Sequence, residues 1–166
     1  MLIDSLATMK RWAMCVVKRI RADSSKTLNE RRIGSQPVNN HRGTIIVASN
    51  INIQEHEMDT ARAIADLGHD VEFAHRNMGK RVTSADVVIH GVLWEMKSPT
   101  SGSRKAIERN LRKAGRQSPN VIIDSQRVKG LSDDAVEKAI RASLPHIKSI
   151  KRLWFINRKR KIVDIK

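Results

Sequence analysis

The stretch ADVVIHGVLWEMK, residues 85–97, limits this fold more than any other. Two apolar runs flank His90-Gly91, and glycine tolerates the positive φ that a two-residue hairpin turn demands. A turn at His90-Gly91 pairs Ile89 with Val92, Val88 with Leu93, Val87 with Trp94 and Asp86 with Glu95. Strand side chains alternate between faces. Val87, Ile89, Trp94 and Met96 therefore share an apolar face, which belongs to the core. Asp86, Glu95 and Lys97 share the other, open face. A three-residue turn would separate Asp86 from Glu95, because a slip of one residue reverses every side chain.

Two opposed carboxylates destabilise a strand pair, so Asp86 and Glu95 need a reason to face each other. A cation between them is one. Mg²⁺ takes oxygen ligands, keeps several waters and serves phosphoryl chemistry. Lys97, two residues from Glu95 on the same face, would stabilise charge in a transition state. The spacing is Asp-x₈-Glu-x-Lys. The plain alternative is a solvated face on which Lys97 merely eases the acidic pair.

The rest of the chain alternates strands and helices. Residues 1–22 carry apolar positions near helical spacing and are expected to form a basic helix; 23–43 are polar, with scattered Gly, Pro and Asn, and read as a linker. The expected division is a basic N-terminal arm and linker over 1–43 and one domain over 44–166. TIIVASN is a short strand. The helix of residues 54–70 has an apolar stripe of Met58, Ala61, Ile64, Ala65 and Leu67, with Gly68 as its stop. VEFAH is a strand, residues 86–97 the hairpin, and residues 101–117 a helix. NVIIDS is a central strand. LSDDAVEKAIRASL is a helix capped by Ser132, and IKRLWFIN and KIVDI are closing strands. From residue 57 the order is α-β-β-β-α-β-α-β-β. The expected fold class is α/β (α+β), a mixed central sheet flanked by helices.

Charge narrows the partners. The chain has 32 Lys and Arg against 17 Asp and Glu, a net +15. A domain this basic calls for a polyanion, with nucleic acid ahead of an anionic membrane or an acidic protein. With 3% aromatic residues and no Tyr, a broad stacking platform for single strands is not expected. Cys15 is the single cysteine, which excludes an internal disulfide and a cysteine zinc site. No run is long enough to span a bilayer, and the apolar patch WAMCVV has the wrong charge order for a secretory signal. The expectation is a soluble protein acting in a reducing, cytoplasmic compartment.

Further candidates surround the hairpin. Glu57, with Glu55 beside it, opens a helix and could complete an acidic cluster, or simply favour the helix N-terminus. Lys105, Arg109, Arg112 and Arg116 form one stripe of the 101–117 helix, opposite Ile107, Leu111 and Ala114. Such a stripe suits a phosphate backbone or a plain solvated face. Gln117 lies off the core stripe and is a further candidate nucleic-acid contact. Asp124 ends its strand and either serves the site or caps the next turn. His69, His75 and His90 are candidate acid–base groups, His90 in the hairpin turn itself. No Gly-rich phosphate loop and no nucleophile elbow occur.

The runs ADVVIHGVLWEMKSPT, RKAGRQSPNVIIDS and IKRLWFINRKRKIVDIK resemble the C-terminal tRNase domain of contact-dependent growth inhibition toxins of the CdiA type. Similar domains end some phage head-morphogenesis proteins. The resemblance covers roughly two thirds of the chain, from about Glu57 to Lys166. It implies an RNA-cleaving toxin nuclease, with tRNA as substrate and a cognate immunity protein as partner. Asp86, Glu95 and Lys97 match the pattern most directly; Trp94 matches as core. Toxin tRNases of this kind fall into two groups. One resembles the PD-(D/E)xK restriction-enzyme core and uses a metal such as Mg²⁺, here implying Asp86 and Glu95 as ligands. The other resembles barnase and EndoU, needs no metal, and implies Lys97, His90 or an arginine as the acid–base group. Two further functions fit the residues: a metal-dependent DNA endonuclease, and a non-catalytic nucleic-acid-binding accessory protein of a mobile element.

Overall fold

A computed structural model describes residues 17–20, 41–48, 51–74 and 85–166. Eight strands form one mixed sheet: β1 (Val17–Ile20), β2 (Ile45–Ala48), β3 (Val71–Phe73), β4 (Val87–Ile89), β5 (Val92–Lys97), β6 (Asn120–Asp124), β7 (Arg152–Ile156) and β8 (Ile162–Asp164). Their spatial order is their chain order. Strands β2 and β3, β5 and β6, and β6 and β7 pair in parallel; the other neighbours are antiparallel. Each parallel pair is joined by a helix: α1 (Glu55–Asp66), α2 (Arg104–Gln117) and α3 (Asp133–Ser143). The element order expected from residue 57 onward is the one observed.

Two corrections concern the ends of elements. Val17–Ile20, expected within a helix, pair antiparallel with Ile45–Ala48, so the sheet begins before residue 44. The apolar spacing of residues 1–22 suits a helix, but edge pairing with β2 prevails over this local pattern. The remainder of that predicted helix and residues 21–40 of the linker lie outside the described residues, as does His75. Leu67, expected on the buried stripe of α1, is 47% exposed. It is the C-cap residue, where the chain has already left helical geometry. Gly68 follows at φ 91° and its N–H reaches the Ala65 carbonyl, so the predicted stop holds.

The sheet is covered on both faces. Ile107, Leu111 and Ala114 of α2 and Val136 and Ile140 of α3 pack on Val121, Ile123, Leu153 and Phe155. Ala61 and Ile64 of α1 pack on the reverse, against Phe73, Val87, Trp94, Met96 and Ile122. Each fully buried Ile or Leu contributes roughly 1.5–3 kcal/mol through removal from water. Ser103 caps α2 by accepting the Ala106 N–H at 3.1 Å, and Ser132 caps α3 by accepting the Ala135 N–H at 3.3 Å. The turn between β5 and α2 is held against residues 129–131. A Cβ on Gly102 would stand 2.1 Å from the Lys129 carbonyl oxygen. Only glycine allows that approach.

Candidate active site on strand β5

The hairpin turns at His90-Gly91, with φ of 51° and 73°. The observed register pairs Ile89 with Val92, Val88 with Leu93 and Val87 with Trp94, as the sequence predicts. The ladder stops there. Asp86 is not paired with Glu95 as a ladder partner; its N–H bonds to the Trp94 carbonyl at 2.9 Å, and its carboxylate accepts the Met96 N–H at 2.9 Å. The strand bends at Asp86, and its side chain still lies close enough to Glu95 for their charges to couple.

The face carrying Glu95 is not open. Glu95 pairs in register with Val121 and Lys97 with Ile123, whose side chains meet α2 and α3. Glu95 is therefore 0% exposed. The plain reading of a solvated charged face fails here. Alternation along β5 assigns a face; only the packing of α2 reveals that the face is covered. Lys97, partly exposed, donates its ammonium to Glu95 Oε1. The other oxygen, Oε2, is buried with no hydrogen-bond donor among the described residues. A buried polar atom without a partner is uncommon and calls for an explanation.

Electrostatics follow from that burial. Desolvation is the main cause that pushes the Glu95 carboxyl up to about 7, and the adjacent Asp86 charge adds to it. Contact with Lys97 works in the opposite direction. Carboxylates perturbed this way cluster at functional sites. Asp86 and Glu95 are hard oxygen donors of the kind a divalent cation prefers. Among the described residues, no group of three or more His, Cys, Asp or Glu gathers at one point. The protein thus offers two carboxylates, a number that suits Mg²⁺, which retains its waters.

The other predicted residues are distributed elsewhere. Glu57 sits in the first turn of α1, on the reverse layer, and its carboxylate accepts the Gln54 N–H at 3.0 Å in a capping box. His90 is exposed at the hairpin turn, four residues from Asp86 along β4, or roughly 13 Å at strand rise. It bonds to His69, with Nδ1 and Nε2 2.9 Å apart, and does not join the Asp86–Glu95–Lys97 group. Burial, and then the charge of His90, lower the pKa of His69. Lys105, Arg109, Arg112 and Arg116 are all exposed along α2, opposite its buried stripe. Arg112 is engaged by Glu108 at 2.7 Å. Gln117 is half-buried at the end of the same helix.

Asp124 caps a turn, accepting the Gln126 N–H at 2.8 Å. It does more than the sequence indicates. Buried at 1% exposure, it also accepts the Thr60 hydroxyl at 2.7 Å and pairs with Arg160 at 2.9 Å. Arg160, at φ 58°, bonds in addition to the Asp59 carbonyl at 2.8 Å. This group ties α1 to the ends of β6 and β7 on the face away from Glu95. Sequence reasoning missed Thr60 and Arg160, which lie 64 and 36 residues from Asp124.

Residues 83–162 match the family described as "Contact-dependent growth inhibition CdiA C-terminal domain". That span contains Asp86, Glu95 and Lys97. Among solved structures, a chain of the "CdiA-CT/CdiI toxin and immunity complex from Burkholderia pseudomallei" is similar at TM-score 0.53 and 19% identity, over 70% of this chain and 91% of that one. At that identity the likeness is one of fold. The comparison with curated proteins gives no match. No helix among the described residues is long and apolar enough to cross a membrane.

Proposed function

We propose that this chain, whose residues 83–162 match the contact-dependent growth inhibition CdiA C-terminal domain family, is an RNA-cleaving endonuclease acting on tRNA. One observation carries the choice of site: a fully buried Glu95 lies beside Asp86, with Lys97 on one oxygen and the Asp86 carboxylate within interaction distance. Such a pair is costly unless a cation shares it. In a chain of net charge +15, the anion that comes to it is a nucleic acid backbone.

Asp86 and Glu95 would hold a divalent cation such as Mg²⁺. When bound, it supplies Lewis-acid polarisation at a phosphodiester. The residues do the rest. The Met96 N–H fixes the Asp86 carboxylate, and burial under α2 fixes Glu95. The Lys97 ammonium holds Glu95 oriented and offers positive charge where the phosphate becomes more negative. The exposed cations of α2 would receive the backbone. A cognate immunity protein is the proposed partner, with acidic surface to complement this charge. The similar toxin from Burkholderia pseudomallei is described in complex with one.

The test sets tRNA and plasmid DNA side by side, each with Mg²⁺ or EDTA. The expected result is nicking of tRNA with Mg²⁺ and none with EDTA. Glu95→Gln and Lys97→Ala should each lose about 10²–10³-fold in rate. Full activity in both variants refutes the site. Cleavage that survives EDTA refutes the metal and leaves Lys97 as the acid–base group. A second reading has its own support. The order α1-β3-β4-β5-α2-β6, with Asp86 just before β4 and Glu95 and Lys97 on β5, is shared with metal-dependent DNA nucleases. Plasmid cleavage without tRNA cleavage would select it. Salt-sensitive binding with no cleavage of either would select the non-catalytic accessory protein.

A further inference from the structure

Trp94 and Glu95 are consecutive, and they face opposite sides of the sheet. On the Trp94 side, four rings from distant parts of the chain meet. Trp94 and Trp154 lie 4.5 Å apart at 30°. Trp154 and His69 lie 5.3 Å apart at 31°. His90 meets His69 edge-on. Beside them is a cavity of about 340 Å³, at the lower end of the range for small-ligand sites. Trp94, Trp154 and His90 line it together with Arg152, Asp164 and Lys166.

Three features distinguish this cavity from a gap in packing. Trp94 is 3% exposed, and its Nε1–H has no hydrogen-bond acceptor among the described residues. Neither Arg152 nor Asp164 has an ion-pair partner among the described residues, and both are exposed. Trp154 is only half-buried, so part of the ring system is accessible from the cavity. Lys166 is partly engaged, donating to the Ile150 carbonyl at 2.7 Å. The site therefore combines aromatic surface, a buried unused donor, a free guanidinium and a free carboxylate.

We infer that this cavity is a nucleotide subsite, which takes one unpaired guanine nucleotide of the RNA on the Trp154 ring, its phosphate on Arg152 and its base N–H groups on Asp164. Stacking on tryptophan serves any base. Asp164 supplies the preference, because guanine presents two adjacent N–H donors to one carboxylate, whereas uracil presents one. The inference rests on the nucleic-acid reading above and extends it to a second contact point on the reverse face from Glu95, remote from the scissile bond.

The test measures tryptophan fluorescence of the full chain during titration with GMP, AMP, CMP, UMP and guanosine. Expected are saturable quenching by GMP, weaker quenching by the others, and loss of the advantage of GMP over guanosine in Arg152→Ala. Asp164→Asn should remove the preference for GMP over AMP. Trp154→Ala should weaken GMP about tenfold or more, with Trp154→Phe retaining most of it. Circular dichroism identifies any variant that fails to fold, and the conservative Trp154→Phe and the exposed Arg152 and Asp164 keep the test decisive. With tRNA as substrate, Trp154→Ala should raise KM and leave kcat nearly unchanged. No saturable quenching by any nucleotide overturns the subsite, as does an unaltered GMP affinity in Trp154→Ala. An unmoved KM overturns its assignment to the substrate. Cleavage of tRNA without GMP binding defeats the subsite and leaves the nuclease intact. GMP binding without cleavage does the reverse.

Discussion

At the scale of single residues, Glu95 couples protonation to stability. Its ordinary value of 4.5 is raised to about 7 in the folded protein, so folding favours its protonated form. The stabilising contribution of that proton is complete below pH 4.5 and is lost as the pH rises through 7. A shift of this size corresponds to about 3 kcal/mol. Denaturant unfolding of metal-free protein at pH 5 and pH 8 should show a fall of that order, and Glu95→Gln should flatten it. Parallel pH profiles for the two proteins would refute the coupling. Lys97→Met should steepen the loss, because it leaves a buried carboxylate without its cation. None of this was legible in the string WEMK. Alternation placed Glu95 and Lys97 opposite Trp94 and Met96, and that was correct. The cover over Glu95 comes from α2 packing on β5, which no local pattern connects.

At the scale of elements, helix α2 serves as lid and as cationic surface. Its buried stripe closes the face over Glu95, while Lys105, Arg109 and Arg116 remain exposed. Replacing those three by alanine should lower the slope of log binding constant against log salt by about 2–3, since each phosphate contact contributes roughly 0.7–0.9. An unchanged slope would remove α2 from the interface. The Thr60–Asp124–Arg160 group acts between elements in a different way. Arg160→Met leaves Asp124 buried and short of its charge partner, and should cost about 3 kcal/mol in thermal or denaturant unfolding. A cost below about 1 kcal/mol, the value of a surface pair, would show that this contact is incidental. The helix periods, caps and turns of these elements were readable. Ser132, Gly68 and His90-Gly91 act over one to four residues. Val17–Ile20 was not readable, because an edge strand inside a helical pattern declares itself only through its partner β2. The ring stack was equally hidden, since His69, Trp94 and Trp154 meet only once β3, β5 and β7 are in place.

At the scale of the whole molecule, the sheet divides the chemistry. One face holds buried Glu95 with α2 and α3; the other holds α1, the Asp124 group and the aromatic cavity. Gly102 sits in the turn between β5 and α2, and Gly102→Val should lower stability and activity together, because its side chain would strike the Lys129 carbonyl. Activity lost at unchanged stability would contradict that account. The order of the strands carries another consequence. Each strand from β1 to β8 docks on the one made immediately before it. Among the described strands, none must wait for a distant segment. Such a chain can assemble as it emerges, by successive addition at a growing edge, and its slowest event should be one crossover rather than a search for a remote partner. A protein built this way loses an edge when trimmed from either end, and keeps its middle.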